Sequence, residues 1–325
     1  MKQTAAIVSL FICLLGNAQS YPPQAGIYGS TAIFKDSEQF VSWATGIEVV
    51  RGLLQKSNPA VSINGNNRAT AGFPDDALGY PDGNTVSLGD EGSATMTFAA
   101  PIFNGTGFDF AVFENGGASF LELAFVEASS DGLHFFRFPA HSETQTATQI
   151  GPFGTPSAAY LNNLAGKYSA QYGTPFDISA LPDDANLNKN SITHIRVVDV
   201  VGTIDPLYAT FDRFGNPVND SYPTPFASCG FDLQAVGIIH HQQLDLDENQ
   251  QATIKIYPNP ASDFLFVETK EAIAVKIFNT SGQLVLEEKQ VKKDKAIDVS
   301  NLHSGVYLVQ LIQNGKSSSQ KLIIR

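Results

Sequence analysis

Three loops of this chain concentrate carboxylates, amides and tyrosines beside glycine, the residue types that hold small ligands. They are residues 72–82 (GFPDDALGYPD), 114–117 (ENGG) and the long stretch 202–228. A loop as long as the third is uncommon in a compact domain, so it is either functional or contains an element that the sequence pattern does not reveal. Their tyrosines could stack on a sugar ring or simply pack the loops. The candidate ligand-binding residues are Asp76, Tyr80, Asp82, Glu114, Asn115, Tyr208 and Tyr222.

The third loop also contains a candidate metal site. Asp212, Asn216 and Asp220 recur every fourth residue around Gly215. Hard oxygen ligands on a flexible loop suit calcium, although the spacing is not that of an EF-hand. Asx-turns in a solvated loop explain the same pattern equally well. The sequence therefore predicts a structural Ca²⁺ as the one possible cofactor and leaves the turn alternative open.

Signatures of catalysis are missing from the sequence. It contains no G-x-S-x-G elbow, H-E-x-x-H pair, P-loop or dinucleotide fingerprint. Glu114, Glu122 and Glu127 are expected on neighbouring strands and could supply a glycosidase pair. Because residues 19–251 contain 25 acidic residues, some pairs look suggestive by chance. We predict a body that is a binding module and not an enzyme, with glycoside hydrolysis as the alternative.

Charge is unevenly distributed along the chain. Residues 19–251 contain nine basic and 25 acidic residues, whereas the tail from Ala252 contains ten basic and seven acidic residues. An acidic surface repels phosphate backbones, so nucleic acid is not an expected partner. Cations, or neutral ligands held by hydrogen bonds, remain compatible with the body.

Short apolar runs separated by turns must position these loops. Residues 108–113 (FDFAVF), 121–127, 134–138, 192–201 and 230–240 each have the composition of a strand. The turn at 129–132 (SSDG) joins the second and third runs as a hairpin. One helix is expected to begin at Asp36. The fold class that follows is all-β, with an antiparallel jelly-roll sandwich as the body.

The chain divides into four parts. Residues 1–18 have the layout of a secretory signal peptide cleaved near Ala18, and no later apolar run is long enough to span a membrane. Residues 19–242 form the body, 243–251 a polar linker, and 252–325 a small tail domain. Cleavage leaves Cys229 as the one cysteine, and its apolar neighbours favour a buried, unreactive side chain.

The tail has the pattern of about seven short strands in an immunoglobulin-like sandwich. It opens with Tyr257-Pro258-Asn259-Pro260-Ala261, continues with a hairpin at 275–286 and a block at 302–311 containing Ser304-Gly305-Val306-Tyr307, and ends in a basic strand. These motifs, in this order, resemble the type A C-terminal sorting domain of type IX secretion. The resemblance implies recognition by an outer-membrane translocon and cleavage by a sortase, with the cargo released or attached at the cell surface. The sorting residues that it implies are Pro258, Asn259, Pro260, Gly305, Tyr307, Lys321 and Arg325.

The body resembles an uncharacterised group of bacterial cell-surface proteins and, more distantly, galactose-binding-like (discoidin-type) jelly rolls. The stretches that carry the resemblance include 77–98, 108–116, 120–132, 163–179, 195–202 and 222–240. It implies loops that bind a glycan, often beside a structural calcium. Two positions depart from the group's pattern, since Cys229 replaces a glycine and Gln234 replaces an aspartate. Surface capture of a corrinoid (cobalamin) and a purely structural adhesion or matrix role stay open as alternatives.

Overall fold

The computed structural model describes residues 21–242, 254–269, 271–313 and 316–325. The chain forms two compact units, Met1–Leu244 and Asp245–Arg325. Their boundary lies within the polar segment predicted as a linker. The predicted signal peptide and residues 243–251 lie outside the described residues.

The body consists of thirteen strands and three short 3₁₀ turns. The turns are Pro74–Ala77, Ala158–Tyr160 and Ile178–Ala180. In chain order the strands are β1 (Ile33–Phe34), β2 (Ser42–Trp43), β3 (Gly46–Val50), β4 (Val86–Ser87), β5 (Ser93–Ile102), β6 (Phe110–Glu114), β7 (Ala124–Ser129), β8 (Phe136–Arg137), β9 (His141–Ser142), β10 (Leu161–Asn162), β11 (Tyr172–Phe176), β12 (Ile192–Asp199) and β13 (Asp232–Ile238).

These strands build two main antiparallel sheets. One has the order β1-β11-β6-β13-β2, with β4 also paired to β13, and the other has the order β3-β5-β12-β7-β8. A small β9–β10 ribbon accompanies them. The inner faces share one core, in which Phe110 and Val236 of the first sheet meet Met96, Val126 and Ile195 of the second. The all-β prediction is confirmed.

The helix expected to begin at Asp36 is wrong. The segment makes turns, with Ser37 and Phe40 donating backbone hydrogen bonds to residues three positions earlier, and then pairs as β2 against β13. The rings of Phe40 and Trp43 pack 5.5 Å from Phe113 on the outer face of the first sheet. Covering that face therefore overrides a local helix signal.

The tail forms a second sandwich with its own core. Its strands are β14 (Lys255–Tyr257), β15 (Phe264–Glu268), β16 (Ile273–Phe278), β17 (Leu284–Val291), β18 (Ile297–Asp298), β19 (Gly305–Gln313) and β20 (Lys316–Ile324). They form a three-stranded sheet, β14-β15-β18, and a four-stranded sheet, β17-β16-β19-β20. Val309 and Leu311 are buried on the inner face of β19, in the core of this sandwich. Among the described residues, no helix has the length and apolar character needed to cross a membrane.

Candidate functional site

One end of the body gathers six carboxylates, of which five are buried and one, that of Asp232, is half-buried. Glu114 ends β6 and Asp232 begins β13, and these two strands are antiparallel neighbours. Likewise, Asp199 ends β12 and pairs with Ala124, the first residue of β7, which follows Glu122 by two positions in the sequence. The sheet registers therefore bring together side chains that are far apart in sequence. We call this group the acid cluster: Asp90, Glu114, Glu122, Asp199, Asp220 and Asp232.

Two members of the acid cluster, Asp220 and Asp199, each accept hydrogen bonds from two backbone N–H groups. Asp220 accepts hydrogen bonds from the N–H groups of Leu123 and Ser221, both at 2.8 Å. Burial nevertheless raises the pKa of Asp220 to about 7. Asp199 accepts from the N–H of Phe231 at 2.7 Å and of Glu91 at 3.1 Å. Its pKa is also raised, first by burial and then by the neighbouring charge of Asp90.

Glu114 and Glu122 are the least satisfied members. Glu114 is 2% exposed, and its Oε1 atom accepts from the N–H of Gly116 at 2.6 Å, but its Oε2 atom is buried without a partner. Glu122 is 7% exposed, and within the described residues no donor reaches its carboxylate. Burial raises the pKa of both groups well above the usual range, and nearby carboxylates raise it further.

The last two members lie at the edge of the cluster nearest to basic side chains. Burial raises the pKa of Asp90 to about 7 and that of Asp232 to about 6. The positive charge of Arg51 lowers the pKa of Asp232, but its guanidinium donates to backbone carbonyls at residues 71, 72 and 87. Among the described residues, none of the six carboxylates has a cationic group within 4 Å.

Two exposed phenylalanines lie on the loops that close this end of the sandwich. Phe153 is 77% exposed and Phe226 is 41% exposed, with ring centroids 5.9 Å apart and planes tilted by 31°. Ser221, next to Asp220, donates from Oγ to the carbonyl of Gly154 at 2.7 Å, which ties the Phe153 loop to the acid cluster. An exposed aromatic pair over buried acids is an arrangement that can receive a flat, polar ligand.

Several of the predicted ligand residues lie at this end. Glu114 belongs to the acid cluster and Asn115 follows it. Tyr222 is buried, and its hydroxyl donates to Ser57 Oγ at 2.6 Å. Burial raises the pKa of Tyr222, and the charges of Asp90 and Tyr208 raise it further. These two tyrosines are therefore neighbours, and Tyr222 serves as loop packing.

The remaining predicted ligand residues lie on the 72–82 loop. Asp76 accepts a hydrogen bond from the N–H of Phe73 at 2.7 Å, and Asp82 caps the N–H of Asn84 at 2.9 Å. Tyr80 is partly exposed, packs its ring 5.6 Å from Trp43, and lies under the ammonium group of Lys35. The two aspartates thus have local structural roles, whereas Tyr80 keeps an accessible ring.

The predicted calcium residues have separate surroundings. The Asp212 carboxylate accepts from the N–H groups of Phe214 and Asn216 at 2.8 and 2.9 Å and from the N–H of Ser142 at 3.1 Å. The Asn216 amide also donates to Asp212 Oδ2 at 3.3 Å, whereas Asp220 belongs to the acid cluster. Burial raises the pKa of Asp212, but these donors outweigh it and lower the pKa overall. Within the described part of the chain, no three His, Cys, Asp or Glu side chains are arranged to hold a metal ion.

The suggested glycosidase carboxylates fall in two places. Glu114 and Glu122 are brought together, since the charge of Glu114 raises the pKa of Glu122. Glu127 lies on β7 opposite Arg137 and Arg196 and binds both of them.

Sequence reasoning missed half of the acid cluster and both exposed phenylalanines. Asp90, Asp199 and Asp232 flank apolar strands, and a buried strand that ends in an acid was the available signal. Phe153 and Phe226 each stand among glycine, proline and serine, where a large apolar side chain has little to pack against. Only the strand register shows that these residues meet.

In the tail, the predicted sorting residues join the first and last segments. Asn259 donates from Nδ2 to the carbonyl of Lys321 at 2.7 Å and accepts from the N–H of Ile323 at 3.0 Å. The N–H of Arg325 donates to the carbonyl of Ala261 at 2.9 Å. Tyr307 donates from its hydroxyl to the carbonyl of His303 at 2.8 Å, next to Gly305 at the start of β19. Pro258 and Pro260 flank Asn259 and so shape the segment that holds β20.

Comparison with known proteins identifies this tail. Residues 255–325 match the family described as the secretion system C-terminal sorting domain. The predicted resemblance is confirmed. The protein is therefore handled by type IX secretion, which implies secretion to the cell surface or the extracellular space.

Two curated relatives are named as polysaccharide-degrading enzymes. One is a β-agarase of Zobellia galactanivorans, 29% identical over 72 residues, which are 22% of this chain and 15% of the relative. The other is an ulvan lyase of Nonlabens ulvanivorans, 35% identical over 85 residues, which are 25% of this chain and 16% of the relative. The matches thus span about a sixth of these relatives. Both names contradict the prediction of a protein that is not an enzyme, and that prediction is corrected.

Two of the solved structures that match are β-glucuronidases. The apo enzyme of Ruminococcus gnavus is 12% identical with a TM-score of 0.19, and the match covers 72% of this chain and 35% of that one. The enzyme of Faecalibacterium prausnitzii is 12% identical with a TM-score of 0.20, covering 88% and 46%. Similarity at this level carries no conclusion about the body.

Proposed function

We propose that this protein is an exported, carbohydrate-active protein whose body engages an extracellular polysaccharide at the end that contains the acid cluster. The observation that carries the proposal is the exposed pair of Phe153 and Phe226 on a secreted protein. Exposed aromatic faces bind the apolar faces of sugar rings, and neighbouring polar groups fix the sugar hydroxyls. The names of the curated relatives support a polysaccharide as the ligand class.

The ligand surface that follows from this proposal is shallow. Phe153 and Phe226 would stack on adjacent sugar rings, and Tyr208 lies on the same loop as Phe226, residues 202–228. Most of the acid cluster lies beneath the surface, so its buried carboxylates would shape the loops rather than touch the polymer. Tyr80, on the 72–82 loop, is a further exposed aromatic residue that a long polysaccharide chain would contact.

Retention on insoluble or immobilised polysaccharide tests the proposal. The mature chain would be passed over agarose and immobilised ulvan, beside the double variant Phe153→Ala/Phe226→Ala. Leu133→Ala is a matched control, because Leu133 is 80% exposed in the turn after the opposite end of β7. We expect retention of the wild type and of the control. The double variant should be retained at least tenfold more weakly, because each aromatic stacking contact is worth on the order of 1 kcal/mol and the variant loses two of them.

The same samples separate capture from cleavage. Reducing ends and absorbance of unsaturated uronate products would be followed over time on both polysaccharides. Product release by the wild type would assign cleavage to this chain, whereas retention without product would assign capture. Cyanocobalamin, as a soluble competitor, covers the alternative ligand class. Equal retention of wild type and double variant, or no retention on either polysaccharide, would refute the proposed site.

A further inference from the structure

Glu114 presents an oxygen that nothing in the described protein satisfies. Its Oε2 atom is buried and has no hydrogen-bond partner among the described residues, and the residue as a whole is only 2% exposed. A buried carboxylate oxygen without a partner costs several kcal/mol if the group is ionised. The neighbouring Glu122 is 7% exposed and also receives no donor from the described residues.

Gly116 keeps a small space open beside this oxygen. A β-carbon on Gly116 would lie 2.6 Å from Glu114 Oε2 and 2.4 Å from the carbonyl oxygen of Phe120. Any other residue would therefore fill the gap between a carboxylate oxygen and a main-chain carbonyl oxygen. Both atoms are hard oxygen ligands that face the same space.

The charges around this space have one sign. The carboxylates of Asp220 and Asp232 lie close enough to affect Glu114, and those of Asp199 and Asp220 affect Glu122. The nearby buried Lys167 is used elsewhere, since its ammonium donates to the carbonyl of Leu161 at 2.6 Å. Closely spaced like charges in a dry interior require either protons or a cation.

We infer that Glu114 and Glu122, with the carbonyl of Phe120, form a calcium-binding site beneath the loop at residues 115–121. All the available ligands are oxygens, and calcium accepts carboxylates, main-chain carbonyls and waters in irregular geometry, whereas Mg²⁺ demands a near-ideal octahedron. Because no three acidic side chains of the described residues converge, the two glutamates supply the side-chain ligands and main-chain oxygen or water completes the shell. This site differs from the Asp212–Asn216 loop expected from the sequence.

Thermal unfolding of the mature chain in CaCl₂, MgCl₂ and EGTA tests the site. We expect calcium at 100 times its dissociation constant to raise the midpoint of the body transition by at least about 4 °C, because ligand binding at that ratio stabilises the native state by about 2.7 kcal/mol. EGTA should reverse the shift. Equilibrium dialysis with calcium alone should give one bound ion per chain.

The double variant Glu114→Gln/Glu122→Gln should fold without calcium and lose the calcium response, since neutral amides of the same shape need no counter-ion. Glu143→Gln, an exposed glutamate, is the matched control and should respond like the wild type. An equal calcium response in the double variant and the wild type would overturn the assignment. Absence of bound calcium in dialysis, or an equal response to Mg²⁺, would also overturn it. None of these readouts depends on polysaccharide binding.

Discussion

Two buried glutamates have opposite surroundings, Glu127 towards the C-terminal end of strand β7 and Glu122 just before its N-terminal end. Glu127 is 6% exposed, and its carboxylate accepts hydrogen bonds from Arg137 Nε at 2.9 Å and from Arg196 Nε at 2.6 Å. The arginines are also held over aromatic rings, with Arg137 4.2 Å from the ring centre of Phe125. At the other end Glu122 is equally buried and has no cationic partner among the described residues.

This difference shows how the sandwich distributes its charge. Glu127 and both arginines are directly opposite one another on three adjacent strands, so the sheet register supplies the counter-charge. The acid cluster lies at strand ends and in loops, where neighbours are set by loop packing and happen to be acidic. A fully paired buried carboxylate is a structural element, whereas an unpaired group of them depends on protons or on a bound cation.

The comparison predicts its largest effect in the pH dependence of stability in EGTA. Burial raises the pKa of Asp90 and Asp220 to about 7 and of Asp232 to about 6, from 3.8. Between the unfolded pKa of 3.8 and these raised pKa values, the folded state binds more protons than the unfolded state. The free energy of unfolding therefore falls as the pH rises from about 4 to about 7. The total is several kcal/mol, since one pKa unit corresponds to about 1.4 kcal/mol.

Urea unfolding at pH 5 and pH 8 measures this dependence. Trp43 is the only tryptophan of the chain and lies in the body, so its fluorescence reports the body transition. The midpoint should be higher at pH 5. A midpoint that is unchanged or higher at pH 8 would mean that the acid cluster is neutralised within the protein, and the comparison would fail.

Removing the paired glutamate should give the next largest effect. Glu127→Ala leaves Arg137 and Arg196 without their shared carboxylate, and we expect a cost of about 2 kcal/mol, less than for a fully buried ion pair, because the two arginine side chains are 42% and 34% exposed. Urea unfolding at pH 7 measures the loss. Asp183→Ala, which removes an exposed partner of Lys189, is the control and should change stability little. A loss no larger than that of the control would show that the pairing at this end is not stabilising.

The sequence could predict the strands but not the charge pattern at their ends. Apolar runs bounded by turn residues located β6, β7, β12 and β13, because the composition of a strand is a local property. The meeting of Glu114, Asp199 and Asp232 depends on the register of strands separated by many residues. No local pattern encodes that register, so half of the acid cluster was missed.

Local patterns also misled where tertiary packing decided the outcome. The residues after Asp36 have a capping pattern typical of a helix, but the body needed Phe40 and Trp43 to cover the small side chains of its outer sheet face. In the tail, by contrast, the motif around Tyr307 was informative because its hydroxyl bonds to the carbonyl of His303, four residues earlier, whereas Asn259 bonds to the distant strand β20. Motifs that act through their own backbone neighbours are readable from sequence, and clusters that depend on register are not.

A single neutral substitution in the acid cluster should have the opposite sign to Glu127→Ala. Asp90→Asn removes a buried charge that raises the pKa of Asp199, and the amide oxygen can still accept from the N–H of Lys56. We expect a gain of about 1 kcal/mol at pH 8 in EGTA and no gain at pH 4, where the carboxyl groups are protonated. Urea midpoints at the two pH values give the result. A loss at pH 8 would indicate that the charge of Asp90 is stabilising.

The smallest effect should come from the basic residue nearest to this end. Lys56 pairs with the exposed Glu91. The charge of Lys56 lowers the pKa of Asp90, but burial raises that pKa by more. Because both partners are partly exposed, Lys56→Ala should cost less than about 1 kcal/mol, and the cost should vanish in 1 M NaCl, where charges are screened within about 3 Å. Urea midpoints at low and high salt measure it, with Lys189→Ala as the surface control. A salt-resistant loss of about 3 kcal/mol would make Lys56 a true counter-ion of the acid cluster, and the two ends of β7 would then no longer differ in kind.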